Sequence, residues 1–219
     1  MTKSTSLCIG VILAGIASCI GACNVLGPAA VLVNGPPSID AKYKLPEARP
    51  MIIFIDDRLP RLGRKQLRNL IAESAQKTLL AKSVVTNVID YRAAVAVADR
   101  ETAGQPMDIV TIAKTVQAEI IVFATVDAFY LSPDGQTMLP AARLRVKVLD
   151  ANLEAPRIWP DDAEGFPLTV QLNQRATPLP RSPSDIMKAE NAFAAQVGEG
   201  LAKLFFEHEI KESVGPSKK

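Results

Sequence analysis

The chain carries one histidine in 219 residues, His208, and its three cysteines, Cys8, Cys19 and Cys23, all lie near the N-terminus. A Ser-His-Asp triad, a Cys-His pair and a histidine-based metal site each need a well-placed histidine. His208, near the end of the last expected helix, is the only one available, and no partner ligands accompany it. Beyond residue 23 there is no cysteine, so the expected folded part has neither a disulfide nor a thiol nucleophile. Gly63 stands alone among bases, so no glycine-rich phosphate loop is present. No cofactor and no metal are expected. The formal net charge of +2 is too weak to point to nucleic acid. Proline is plentiful instead: sixteen residues, gathered at 28–60 and 156–183, where they mark irregular chain.

The N-terminus is short of charge. Lys3 is the sole charged residue in the first 39. Leu7 to Ser18 is apolar or small, as in the hydrophobic region of a secretory signal. Two cysteines then follow small residues, in Ile16-Ala17-Ser18-Cys19 and Ile20-Gly21-Ala22-Cys23. Each resembles the bacterial lipobox, in which a peptidase grips an extended backbone beside the cut and the thiol carries diacylglycerol. Cys23 is favoured because Ala22 suits the cut and Asn24 opens a Pro/Gly-rich stretch; Cys19 is the alternative. Leu7 to Leu26 is twenty residues, enough to span a bilayer, so an uncleaved anchor or a simple secreted form stays open. The expected division is a signal over 1–22, a tether over 23–50, a single domain over 51–212 and a polar tail over 213–219.

Within the domain, Ala118 to Val126 reads as a strand buried on both faces. Met51 to Ile55 is a wholly apolar first strand, stopped by Asp56-Asp57. After Pro60 and Gly63 the spacing of Leu67, Leu70, Ile71, Ser74, Ala75, Thr78 and Leu79 predicts a helix to about Lys82. Val84 to Ile89 is a further strand candidate, and helices are expected over 91–100 and 108–117. Ser132-Pro133-Asp134-Gly135 signals a turn. Ala142, Leu144, Val146 and Val148 then alternate with Arg143, Arg145, Lys147 and Leu149, giving a strand with one buried and one wet face. Strands are expected at Arg157-Ile158-Trp159 and Phe166 to Leu172, with a loop from Arg175 to Pro183. Ser182-Pro183-Ser184-Asp185 starts a long helix with a serine cap, an early proline and an acid for the dipole. The fold class is α/β (α+β): a mixed sheet of about five strands, helices packed on it, and a long C-terminal helix.

Ile112-Ala113-Lys114, Ala118 to Val122, Leu144 to Asp150, Ile158-Trp159 and Phe193 to Phe206 together resemble the periplasmic domain shared by the curli-secretion lipoprotein and the lipoprotein activator of penicillin-binding proteins. That domain has kinship with the TolB N-terminal domain. The likeness spans roughly 51–210. The family usually has glycine in the turn after the aspartate, where this chain has Asn152 or Leu153; asparagine tolerates positive φ. The resemblance implies scaffolding, activation of a partner or export through a ring of subunits. It brings no catalytic residues. A membrane pore is disfavoured, because neither hairpin offers strands of about 9–11 residues with an apolar outer face.

Three charged groups are candidate sites. Arg58, Arg61, Arg64, Lys65 and Arg68 crowd a helix start, where bases oppose the dipole. They suit an anion or an acidic partner, or else ion pairs with Asp56, Asp57 and Glu73. Arg143, Arg145 and Lys147 form a basic stripe that could dock a partner if no helix covers it. Asp56 and Asp57 end a strand but point to opposite faces there. The expected role is a lipid-anchored, periplasm-facing envelope protein, on the outer membrane for preference, that binds or scaffolds an envelope partner without catalysis or nucleic acid. A homo-oligomeric secretion assembly and a carboxylate-dependent hydrolase are the alternatives.

Overall fold

The computed structural model describes residues 38–100, 107–172 and 176–209. The signal, Cys8, Cys19, Cys23 and the polar tail lie outside the described residues. In chain order the elements are β1 (Ser38–Ile39), β2 (Met51–Asp56), α1 (Gln66–Ala81), α2 (Tyr91–Ala98), α3 (Ile109–Thr115), β3 (Ile120–Tyr130), β4 (Thr137–Met138), β5 (Ala141–Asp150), β6 (Arg157–Trp159), β7 (Phe166–Gln171), β8 (Thr177–Pro178), α4 (Pro183–Ala202) with a 3₁₀ turn (Lys203–Phe205), and β9 (His208–Glu209). β1 and β9 pair antiparallel in a small unit of their own. The main body is Asp40–Glu207.

The fold is mixed α and β, with a five-stranded mixed sheet and a long C-terminal helix. β2 pairs parallel with β3, and β3 pairs antiparallel with β5. Along its other edge β5 pairs with β6 near its end and with β7 near its start. Strand alternation decides the layers. Met51, Ile53 and Ile55, with Ile120, Val122, Ala124, Val146 and Val148, pack under α1 and α4. Ile52, Phe54, Ile121 and Leu149 pack under α2 and α3. The parallel pair is thus apolar on both faces, as expected for strands covered on both sides.

The helices start and stop for local reasons. Asp90 and Asp108 cap α2 and α3 by accepting the Arg92 and Val110 N–H groups. Ser182 caps α4 by accepting the Asp185 N–H, with proline in the first turn. After α3, Gln117 takes φ 61°, and Ala118 N–H returns to Ala113 O. That step delivers the chain into β3.

Four features depart from the sequence reading. Val84 to Ile89 is no strand; it makes one parallel bridge, Val88 to Met51. Asp90 then takes the chain into α2 before a ladder can form. The body begins at Asp40 rather than Met51, because Leu45 is buried and Tyr43 stacks on Trp159 at 5.7 Å. Proline content there reflects irregular backbone, not detachment. Neither Asn152 nor Leu153 has positive φ; Asp150 closes the turn instead, its Oδ1 accepting the Asn152 N–H at 3.0 Å. Finally, β3 runs on to Tyr130 through a bulge between Val126 and Ala128. The extra residue, Asp127, shifts the alternation by one. Phe129 therefore turns to the α4 side and meets Phe193 at 5.1 Å, not the face of Phe123 and Thr125.

β7 is an edge strand containing Pro167. Leu172 N–H bonds Pro140 O, so the even positions of β7 face β5 and Pro167 faces outward. No ladder bond is lost there.

Candidate functional site

The basic cluster lies on the β2–α1 loop and the first turns of α1. Three of its five members are paired, one with an expected acid and two with others. Arg58 Nε meets Asp56 Oδ1 at 2.9 Å. Arg64 reaches α4, with Nε at 2.7 Å from Glu190 Oε2 and a second nitrogen at 2.6 Å from Asn191 Oδ1. Arg68 meets Asp99, at the end of α2, at 3.2 Å. Glu73 instead stands 3.9 Å from Arg92. Asp57 accepts the Arg61 and Leu62 N–H groups and shapes the loop. Arg61 and Lys65 are exposed and make no ion pair among the described residues. Exposed pairs of this kind are worth about 0–1 kcal/mol, so the cluster is chiefly a set of ties from α1 to α2 and α4. Asp56 ends β2 and pairs with Arg58, whereas Asp57 lies past the strand and accepts loop N–H groups.

The stripe Arg143, Arg145 and Lys147 is different. α2 and α3 cover only one half of their side of the sheet, over Ile52, Phe54, Ile121 and Leu149. The other half carries the stripe. Arg143 is exposed, Arg145 and Lys147 are half-buried, and Thr169 and Gln171 beside them are exposed. Arg145 lies between Asp127, at 2.9 Å, and Glu164. Asp127 first, then Glu164, raises the Arg145 guanidinium above its ordinary value. Lys147 lies along Gly165, which has φ +95° and where an added Cβ would stand 3.2 Å from Lys147 Cγ and Cε. The three bases thus share one open surface, as their period-two spacing requires.

At the opposite end of the sheet is an ion-pair group that sequence reading did not find. Arg49 bonds both Asp150 oxygens, at 2.6 and 2.8 Å, and Glu119 Oε2 at 2.7 Å. It ties the approach to β2 to the start of β3 and the end of β5. Asp150 is only 6% exposed and is the buried polar residue of the core. The Arg49 hydrogen bonds hold its carboxyl below the usual carboxylate range, against the opposing effect of burial. Its stabilising contribution is therefore fully present above the unfolded value of about 3.9 and disappears as pH falls towards the lower folded value. Urea midpoints measured from pH 5 to pH 2 should fall more steeply for the parent chain than for Asp150→Asn. Parallel slopes would remove Asp150 from the acid transition. Asp134 is also held low, by the Thr137 and Gln136 N–H groups first.

Trp159 is a packing anchor. It stacks on Phe166 at 5.1 Å and meets Phe205 edge-on at 6.1 Å. His208 lies in β9 and pairs with Ile39. Among the described residues no three His, Cys, Asp or Glu side chains are grouped to hold a metal, and no helix is long and apolar enough to cross a membrane. A groove of about 670 Å³ lies between Gly135–Thr137 and Ala176–Arg181. Another, of about 550 Å³, is lined by Lys44, Glu47, Val84 and Phe206. Neither gathers a set of side chains with a shared chemical task.

No protein-family model matches the chain, and no curated protein matches it. Among solved structures it is similar to the hypothetical protein CT253 from Chlamydia trachomatis, at 18% identity over 58% of this chain and 73% of that one, with a TM-score of 0.37. It is similar to the PelC dodecamer from Paraburkholderia phytofirmans, at 13% identity over 77% and 97%, TM-score 0.37. Lipoprotein GNA1162 from Neisseria meningitidis shares 7% identity over 70% and 99%, again with a TM-score of 0.37. Similarity this distant assigns neither a family nor an activity. The curli-secretion and penicillin-binding-protein-activator likeness therefore rests on the motifs alone.

Proposed function

We propose that this chain is a lipid-anchored envelope protein, acylated at Cys23, whose domain binds another envelope protein through the open half of its sheet and catalyses no reaction. One observation carries the reading: α2 and α3 leave half a sheet face uncovered, and that half presents Arg143, Arg145 and Lys147 beside exposed Thr169 and Gln171. A rigid sheet face holds charges at fixed spacing and needs little ordering to bind. Rim bases of this kind select an acidic partner and speed its approach. The lipobox and charge-poor leader supply the anchor. Asn24, in place of an aspartate after the acylated cysteine, favours the outer membrane.

The test uses cells expressing the full chain with a photocrosslinking residue at Thr169. A specific adduct is expected, together with incorporation of labelled palmitate. Arg143→Glu with Lys147→Glu should lower the adduct at least about fivefold, as a loss of about 1 kcal/mol does, and leave the label intact. Cys23→Ala should remove the label. An adduct indifferent to the charge reversals defeats the docking face. Label that survives in both Cys23→Ala and Cys19→Ala defeats the anchor.

A further inference from the structure

β2 has an edge that the sheet does not use. Met51 N–H bonds Asn87 O, and Met51 O accepts from Ile89 N–H, both on that edge. Pro50 O faces β3 instead, accepting from Ile120 N–H. Alternation then directs the N–H and C=O groups of Ile53 and Ile55 to the free edge as well. The chain that pairs with Met51 has already left for α2, so no strand continues the ladder past Val88. Yet Ile53 and Ile55 are 1% and 4% exposed, so bulk water does not reach them. Buried backbone groups are almost always paired.

A small cavity lies at this edge, lined by Ile53, Phe54, Ile55, Arg68, Asn69, Ala72, Tyr91 and Val95, with a volume of about 10 Å³. Two of its side chains hold buried polar atoms without a partner, Arg68 Nε and Asn69 Oδ1. One is a donor and the other an acceptor. Leaving each unsatisfied costs about 1–3 kcal/mol, more for a charged group. A cavity of about 10–15 Å³ on this measure accommodates one water, and buried waters make about three hydrogen bonds. The cavity's size and its two unpartnered side-chain atoms, one donor and one acceptor, fit one water, which keeps one or two further bonds for the β2 edge.

We propose that this cavity holds a single resident water, accepting from Arg68 Nε–H, donating to Asn69 Oδ1, and completing its bonds with the β2 edge. Arg68 is pinned from outside by Asp99, so its guanidinium joins the water to the end of α2. The water bridges Arg68 and Asn69 beside a stretch of β2 that no neighbouring strand pairs.

Water-to-protein NOE spectra of the isotopically labelled full chain in detergent test this. A long-lived water contact is expected at the Arg68 Nε–H proton. Asn69→Asp, which keeps an acceptor, should retain it; Asn69→Leu, which removes the acceptor and fills the space, should abolish it. No long-lived contact in the parent chain, or a coupling across a hydrogen bond from Arg68 Nε to a protein carbonyl or carboxyl carbon, overturns the proposal. So does a contact that persists unchanged in Asn69→Leu.

Discussion

Arg49→Met should lower the unfolding free energy by about 2–4 kcal/mol, among the largest losses available to a single side chain outside the apolar core. The change strands Asp150. Its side chain is 9% exposed and now lacks the guanidinium that bonded both oxygens. Breaking a fully buried ion pair costs about 3–5 kcal/mol, because the remaining charge has no water to replace its partner. Arg49 itself is 33% exposed and Glu119 40%, which admits some solvent and brings the expectation down. Denaturant unfolding checks the value. The double variant Arg49→Met with Asp150→Asn should recover a substantial part, since a neutral amide needs no counter-charge and the Asn152 N–H keeps an acceptor. A single variant within about 0.5 kcal/mol of the parent, the range of an ordinary surface change, would show that the clasp is only decorative.

Gly198→Ala should cost about 1–2 kcal/mol net, despite exchanging glycine for the best helix former. Alanine gains up to about 1 kcal/mol in a helix interior. Against that, the new Cβ would lie 2.3 Å from Ile71 O and 2.7 Å from Ser74 Cβ. Ile71 O belongs to the backbone of α1 and cannot swing aside, so α1 and α4 must move apart. The separation also stretches the Ser74 hydroxyl bond to Ala195 O, now 2.6 Å. Overpacking costs about 1–3 kcal/mol and sometimes more, so it outweighs the propensity gain. Gly200→Ala makes the useful control: its Cβ meets Val170 Cγ2 at 2.7 Å, a side-chain atom on β7 that can shift. At about 2–4 °C per kcal/mol for a chain of this size, Gly198→Ala should melt visibly lower than Gly200→Ala. The reverse order would mean that the helix pair is not held at its present spacing by glycine.

The elements that could be read from sequence are those whose signal is contained in a short window. Met51 to Ile55 and Ile120 onward are continuous apolar runs; Ala142 to Val148 alternates; Ser182-Pro183 marks a helix start. What could not be read depends on partners far along the chain. Arg49 lies 70 residues from Glu119 and 101 from Asp150, and nothing local to any of them announces the contact. Val84 to Ile89 has strand composition, but whether it pairs is decided by the cap at Asp90. Among the site residues, the spacing of Arg143, Arg145 and Lys147 revealed their common face. It could not reveal how far α2 and α3 extend over it. The bases from Arg58 to Arg68 were visible as a cluster, and so was Asp56 beside Arg58, whereas the acids of Arg64 and Arg68 lie on α4 and at the end of α2, out of sequence range.

The bulge at Asp127 bears on how this protein is compared with others. One added residue makes β3 two stretches in different phase, the first seven residues keyed to one offset and the rest to another. A relative built without the insertion will match either Ile120 to Val126 or Ala128 to Tyr130 in any ungapped alignment, never both. For such a relative a single gap placed at Asp127 would let both stretches correspond.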